Sequence, residues 1–162
     1  MPELPRPDWR KPSHILAFGL GAGVSPVAPG TVGSLVGLAL YWPLAGLALP
    51  IYGALVILLA LAGIALCERA SRDLGVEDHP GIVWDEITGM LIGVAGLPLE
   101  WPWLLAAFGL FRLLDILKPW PISWLDRRLT GGLGIMLDDI AAGLATLAVM
   151  QIVRLVWPVF GG

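Results

Sequence analysis

Arg112–Gly143 reads RLLDILKPWPISWLDRRLTGGLGIMLDDIAAG, and it sets Arg112, Asp115, Lys118, Asp126, Asp138 and Asp139 beside some of the most apolar sequence in the chain. Charges next to hydrocarbon are expensive, so they are kept where they have a partner or a task. Arg112, Asp115 and Lys118 follow one another at intervals of three, which places them on roughly one face of a helix. Pro119 disfavours the helical conformation at the residue before it, so that helix is expected to end at Lys118. Gly131, Gly132 and Gly134 read as a flexible approach to Asp138 and Asp139. The two aspartates are then expected in the first turn of a new apolar helix, where the positive end of the dipole favours acids. Carboxylates and cations thus gather at one end of two apolar helices, an arrangement suited to a divalent metal and a phosphate.

The composition says what those helices sit in. The chain has 162 residues, 57% of them hydrophobic and 14% charged, with a mean hydropathy of +0.80. Soluble domains run at about 45–50% apolar and about 25% charged. An all-α, multi-pass helical membrane bundle is the better class: about four to five apolar helices plus a short N-terminal interfacial or re-entrant segment. The length suits one domain, with residues 1–13 as a polar, proline-rich tail and 14–162 as a single helical membrane domain. The net charge is −3 without a basic run, which argues against a nucleic-acid partner. The single cysteine, Cys67, excludes an intramolecular disulfide and a cysteine-rich zinc site. Pro2, Pro5 and Pro7, the acids Glu3 and Asp8, and Gly19, Gly21 and Gly23 do not fit a signal peptide.

In chain order, His14–Gly21 is apolar but too short to span a bilayer. Gly21–Ser34, GAGVSPVAPGTVGS, resists regular structure and leads into a helix. A glycine-rich loop at a helix N-terminus suits an anion; Gly30 offers backbone, Thr31 and Ser34 hydroxyl donors, with Ser34 also placed to cap the helix. Neither a GxGxxG pattern nor a P-loop lysine is present, so a simple embedded turn with a cap is the competing account. Leu35–Leu49 and Ile51–Cys67 are apolar runs with a minimal turn between them, expected to pair as an antiparallel hairpin. Eighteen helical residues rise about 27 Å, against a hydrocarbon core of ~30 Å. Glu68–Gly81 is a helix end and a loop. Ile82–Leu99 is a third run, with Asp85 and Glu86 in its first turn, and Trp103–Leu117 a fourth. Trp101 and Trp103 fit an interfacial aromatic belt. Residues 120–128 form an amphipathic connector, and Ile140–Val159 is the last run.

Placing the N-terminus in the cytoplasm and alternating the runs puts Arg6, Arg10, Lys11, Arg69, Arg72, Lys118, Arg127 and Arg128 on the cytoplasmic side, as the positive-inside rule requires. The same alternation brings Asp85, Glu86, Asp115, Asp138, Asp139 and the Gly21–Ser34 loop to that side. Magnesium takes hard oxygen ligands, commonly a few carboxylates plus substrate phosphate. Asp85, Glu86, Asp138 and Asp139 are the candidate Mg2+ ligands, with Asp115 completing the candidate catalytic set. A bound metal would polarise a phosphoryl oxygen and activate a water. Arg112 is suited to grip phosphate bidentately and Lys118 to meet it as a point charge. A carboxylate would serve as base or attack phosphorus directly, and the residues do not choose between these routes.

Each feature also has a structural account. Arg112 with Asp115 makes a plain i,i+3 ion pair, and Asp85, Asp138 and Asp139 are acids at helix N-termini. Glu68, Asp73, Glu77 and Asp78 read as a solvated face, and His79 before Pro80 as loop. Gly89, Gly93 and Gly96 read as sites of close helix packing.

Four motifs, in this order, carry a resemblance: HILAFGLGAGVSPVAPGTVGS, IVWDEITGM, FRLLDILKPWPISWLD and GGLGIMLDDIAAG. Together they resemble the phosphatidylglycerophosphatase A family of bacterial membrane lipid phosphatases, over nearly the whole chain. The resemblance implies magnesium-dependent hydrolysis of phosphatidylglycerophosphate to phosphatidylglycerol and inorganic phosphate, in phospholipid biosynthesis. It implies an all-helical enzyme of the bacterial inner membrane acting at the cytoplasmic leaflet. The motif residues it carries over are Asp85 and Glu86, then Arg112, Asp115 and Lys118, then Asp126, then Asp138 and Asp139.

Three other classes compete. A CDP-alcohol-type phosphotransferase also holds magnesium with acids at a membrane boundary, but concentrates them in one segment, whereas here three segments share them. A small ion or metal transporter would place acids near the middle of its spans, whereas here they lie at the ends. A structural membrane subunit would use them only as caps.

Overall fold

The computed structural model describes residues 4–160, with side chains described through residue 156. Met1–Glu3 of the expected tail and the terminal Gly161 and Gly162 lie outside the described residues. Seven α-helices follow in order: α1 Pro12–Ala17, α2 Pro29–Leu44, α3 Leu49–Leu74, α4 Trp84–Gly93, α5 Trp101–Leu117, α6 Ile122–Arg128 and α7 Gly131–Phe160. A 3-10 segment, Gly19–Val24, links α1 to α2. Among the described residues there is no strand, as the all-α reading expects.

Among the described residues two helices are long and apolar enough to cross a membrane, α3 and the Gly131–Val156 part of α7. Twenty-six residues rise about 39 Å, more than the ~30 Å of hydrocarbon. Only 17% of the apolar stretch of α3 is buried. Leu49, Ile51, Ile57, Leu58 and Leu61 therefore point outward, as a lipid-facing helix requires. Half of the corresponding stretch of α7 is buried, so α7 is the inner of the two.

The centre of the bundle belongs to α4, which packs against α2, α3, α5 and α7. The run Ile82–Leu99 is expected as the third apolar helix of the bundle. The structure gives ten helical residues, about 15 Å. The chain then turns through Gly96, whose φ of 71° is left-handed, a conformation glycine adopts without a Cβ penalty. Carbonyls freed where a helix stops inside apolar surroundings must find donors. The Tyr52 hydroxyl donates to Leu91 O and the Tyr41 hydroxyl to Leu97 O, both at 2.6 Å. Gln151 Nε2 donates to Ala95 O at 2.8 Å, and Arg154 Nη1 to Gly96 O at 2.6 Å. Two tyrosines from α2 and α3 and two polar side chains of α7 thus close the end of α4.

The expected hairpin of 35–49 on 51–67 is corrected in the same way. α2 starts six residues earlier than read, at Pro29, and ends at Leu44. α2 and α3 touch at Tyr41 and Tyr52, ring centroids 5.8 Å apart, and α4 packs on both. Ser34 is not a cap. It sits inside α2 with its hydroxyl donating back to Gly30 O at 2.9 Å.

Small residues set how closely α4 can approach. A Cβ on Gly89 would stand 2.7 Å from Asp139 O and 2.8 Å from the Phe111 ring. One on Gly93 would press on Thr146 at 3.1 Å. Gly89 and Gly93 are thus packing glycines, as small residues at helix interfaces in lipid are expected to be, whereas Gly96 serves the turn. The N-terminal piece folds onto the bundle: Phe18 and His79 lie ring against ring at 5.2 Å, and Val83 N donates to Ala17 O at 2.9 Å.

Gly89→Ala is expected to cost about 1–3 kcal/mol, since backbone and ring cannot yield as a flexible tip would. A detergent melting curve checks it: the Tm falls, and an unchanged Tm would contradict the close α4–α7 crossing.

Candidate active site

Four apolar helices end at one polar cavity of about 620 Å³. α2 contributes its first turn with Gly30, α4 its first turn with Asp85 and Glu86, α5 its last turns with Arg112 and Asp115, and α7 Asp138 and Asp139. Lys118, just after α5, and Asp126 of α6 complete the wall. The three acidic segments and the basic helix end therefore meet, as their common side in the alternating topology requires.

Local rules explain most of these placements. α2 begins with Pro29 at its first turn and has no side-chain cap; proline suits that position because its missing N–H has no intrahelical partner there. Its dipole end faces the cavity. A Cβ on Gly30 would collide with Glu86 Oε1 and come within 3.3 Å of Arg112 Nη1, so glycine keeps that wall thin. α5 stops at Lys118, whose φ is 43°, directly before Pro119. The expected helix end is thus observed, and it turns the lysine back toward the bundle.

Asp138 and Asp139 are not in a first turn. Gly131, Gly132 and Gly134 are helical, so α7 starts at Gly131 and the aspartates lie two turns inside it. The N-terminus of α7 is capped from another helix: Gly132 N donates to Glu68 Oε2 at 2.5 Å, while Glu68 Oε1 pairs with Arg72. Glu68 is a cap, then, rather than part of a solvated face. Helix-end preference does not explain Asp138 and Asp139, which are buried at 7% and 3% exposure.

The charges form two linked pairs. Arg112 Nη1 donates to Asp115 Oδ2 at 2.5 Å and reaches Ser34 Oγ at 3.4 Å. Lys118 Nζ donates to Asp138 Oδ2 at 2.6 Å and to Asp126 Oδ1. Burial pulls the Lys118 ammonium toward its neutral form, but the two carboxylates outweigh it and hold its pKa above the usual lysine value. Lys118 is accordingly a fixed cation that ties α6 to α7. Asp139 N donates to Asp138 Oδ1 at 3.0 Å.

Four buried atoms on this wall have no protein partner: Asp85 Oδ1, Glu86 Oε2, Asp139 Oδ1 and Arg112 Nε. Buried polar groups are nearly always paired, so orphans in a cavity call for a ligand. Three carboxylate oxygens ask for a cation or a donor, and one guanidinium N–H asks for an acceptor. Among the described residues no three His, Cys, Asp or Glu side chains are gathered closely enough to hold a metal by themselves. Magnesium commonly takes only one or two carboxylates and completes its shell with water and substrate phosphate.

The structure brings Gly30, Asp85, Glu86, Arg112, Asp115, Lys118, Asp138 and Asp139 into one cavity wall, and it leaves Thr31 and Ser34 out. Ser34 is fully buried, bonded to Gly30 O and set against the Arg112 guanidinium. It braces the arginine instead of presenting a hydroxyl donor. Glu77 and Asp78, expected as solvated, also line the cavity. No spacing rule marks them, because a loop placed them there.

Comparison with known proteins gives the same outline. The family model described as Phosphatidylglycerophosphatase A matches residues 15–154. A Phosphatidylglycerophosphatase A of Escherichia coli (strain K12) is 44% identical over 148 residues, covering 91% of this chain and 86% of its own length. One of Haemophilus influenzae is 46% identical over 141 residues, covering 86% of each. No solved structure matches the chain.

Lys118→Met should loosen α6, since the lysine joins Asp126 to Asp138. Trypsin cleavage at Arg127 and Arg128 in detergent is expected to speed up about fivefold, because local opening governs proteolysis. An unchanged cleavage rate would mean that packing alone holds α6.

Proposed function

The chain belongs to the phosphatidylglycerophosphatase A family, and from that premise we propose how its cavity performs the family's reaction. The protein is a lipid phosphatase: it hydrolyses phosphatidylglycerophosphate to phosphatidylglycerol and inorganic phosphate in phospholipid synthesis. Its substrate is a membrane phospholipid, and its apolar, outward-facing α3 suits a membrane-embedded enzyme.

The observation that carries the site assignment is the set of unpartnered atoms facing one cavity, on Asp85, Glu86, Asp139 and Arg112. Charge balance supports a metal there. Eight acidic residues and two basic ones line the cavity. A phosphate monoester dianion entering such a wall meets repulsion unless a cation accompanies it. One or two of the candidate ligands Asp85, Glu86, Asp138 and Asp139, together with water and the substrate phosphate, would hold Mg2+, which when bound would neutralise the phosphoryl oxygens and assist the attack of water.

The geometry supports the following roles for the other residues. Arg112 Nε donates to a phosphoryl oxygen while its Nη1 remains on Asp115. Ser34 keeps the guanidinium plane in place. Asp115, oriented by that same ion pair, accepts the proton of the attacking water. As the new P–O bond forms, the bond from phosphorus to the glycerol oxygen breaks, and that oxygen takes up a proton from solvent water to release phosphatidylglycerol, while the proton on Asp115 returns to solvent. Lys118 holds Asp138 and the connector in register. The lipid's acyl chains stay in the bilayer while its terminal phosphate enters.

For the setting, a bacterial inner membrane, a multi-pass topology and a cavity opening toward the cytoplasm agree with the distribution of arginine and lysine. Phosphatidylglycerophosphate is then met at the headgroup level of the inner leaflet.

The purified chain should release phosphate from phosphatidylglycerophosphate with Mg2+ and lose that activity to a chelator. Mg2+ should also raise its Tm, by mass action on the folded state. Asp85→Asn and Asp139→Asn should each lower turnover at least about a hundredfold and abolish the Tm shift. Full activity and an intact shift in both variants would refute the metal assignment. Orientation has a separate check: Ser123→Cys in intact cells should resist an impermeant thiol reagent, and ready labelling would reverse the topology.

A further inference from the structure

A second cavity, apolar and about 370 Å³ in volume, lies between α2 and α5. Leu35, Leu38, Ala39 and Trp42 line it from α2, and Trp101 and Leu104 from α5. Leu38 and Leu104 form a buried floor, while Leu35, Trp42 and Trp101 stand about half exposed along its edges. At one end Trp42 and Trp101 close together, ring centroids 5.9 Å apart.

The same two helices carry the phosphate-facing residues at their other ends. On α2, Gly30, Ser34, Leu38 and Trp42 follow at intervals of four, one face of the helix. On α5, which runs back the other way, Arg112, Phe108 and Leu104 do the same. The Arg112–Ser34 contact bridges the two helices between the polar cavity and the groove. From Gly30 the groove begins about 8 Å along α2, at Leu35, and ends about 18 Å along, at Trp42. That depth is close to one leaflet's share of the ~30 Å hydrocarbon core, so Trp101 at its far end stands inside the hydrocarbon and not in the interfacial belt expected for it.

We propose that this groove receives one acyl chain of the lipid substrate, and that the Trp42–Trp101 pair is its end stop. The assignment rests on the phosphatase reading and extends it from the phosphate to the tail. A lipid whose terminal phosphate lies between Gly30 and Arg112 has its tails delivered at the seam where the groove starts. Its tails are already in hydrocarbon, so the groove gains nothing by dehydrating them. It acts through shape and packing contacts, and its signature is a chain-length preference.

The test compares kcat/KM for dihexanoyl, dipalmitoyl and distearoyl phosphatidylglycerophosphate at equal surface fraction in mixed micelles. Ala39→Phe fills the groove from its open side. It is expected to lower the dipalmitoyl-to-dihexanoyl ratio about fivefold, the scale of a few lost packing contacts. Trp42→Ala removes the stop and is expected to raise the distearoyl-to-dipalmitoyl ratio, so the test survives if the first variant fails to fold. Ratios equal to the parent's in the folded variants would overturn the assignment and leave the groove as ordinary lipid-facing surface. A change in oligomer size on Ala39→Phe without a change in ratio would also overturn it, in favour of contact with a second copy. A parent chain that releases no phosphate from any of the lipids would sink the phosphatase reading itself, and the groove with it.

Discussion

A helix of half a bilayer's thickness lies at the centre of this protein, and its two ends impose opposite demands. At the C-terminal end of α4, backbone carbonyls must be satisfied without water, and Tyr41, Tyr52, Gln151 and Arg154 do so. At its N-terminal end, Asp85 and Glu86 are carried into the bundle interior beside Asp139 and Arg112. A full-length span would need no donors at its end. It would also hold its acids at the membrane surface, where water would satisfy them. Shortening the helix therefore creates both the polar depth of the cavity and the network that the rest of the bundle provides.

The site is assembled across the chain with few local devices. α2 brings an uncapped N-terminus and a glycine that keeps space open before Glu86. α5 brings cations at the place where Pro119 ends it. α7 brings aspartates that no helix-end rule explains, and its own first turn is capped by Glu68 of α3. The resulting wall has more carboxylates than cations. That excess is unfavourable for a bare phosphate, and it is the reason the proposed function includes a divalent ion.

Much of this was readable in advance. Composition decided the class, because an apolar fraction this high with so few charges does not suit a soluble domain. The intervals between Arg112, Asp115 and Lys118, with Pro119 behind them, correctly fixed a helix face and its end. The order of four motifs identified the family. What could not be read was set by tertiary partners. Ile82–Leu99 has the composition of a span, and only Tyr41, Tyr52, Gln151 and Arg154, remote in sequence, allow it to stop at Gly93. Gly131–Gly134 has the composition of a loop, yet it is helical because Glu68 waits for Gly132 N. Ser34 looked like a cap from its neighbours alone, and the earlier start at Pro29 made it a brace for Arg112. Glu77 and Asp78 lacked any periodic signal. In each case the deciding contact joins residues far apart in the chain.

The link between α4 and α7 also bears on how the enzyme is made. α7 follows the other described helices in the chain, and it supplies Gln151 and Arg154 to the open end of α4 together with Asp138 and Asp139 to the cavity. Until it inserts, the nascent bundle holds a short helix whose Ala95 and Gly96 carbonyls lack their α7 donors, and a cavity wall without Asp138 and Asp139. Catalytic competence therefore waits for α7: a chain interrupted before that helix lacks Asp138 and Asp139 and leaves the end of α4 open, so it carries no partly built activity.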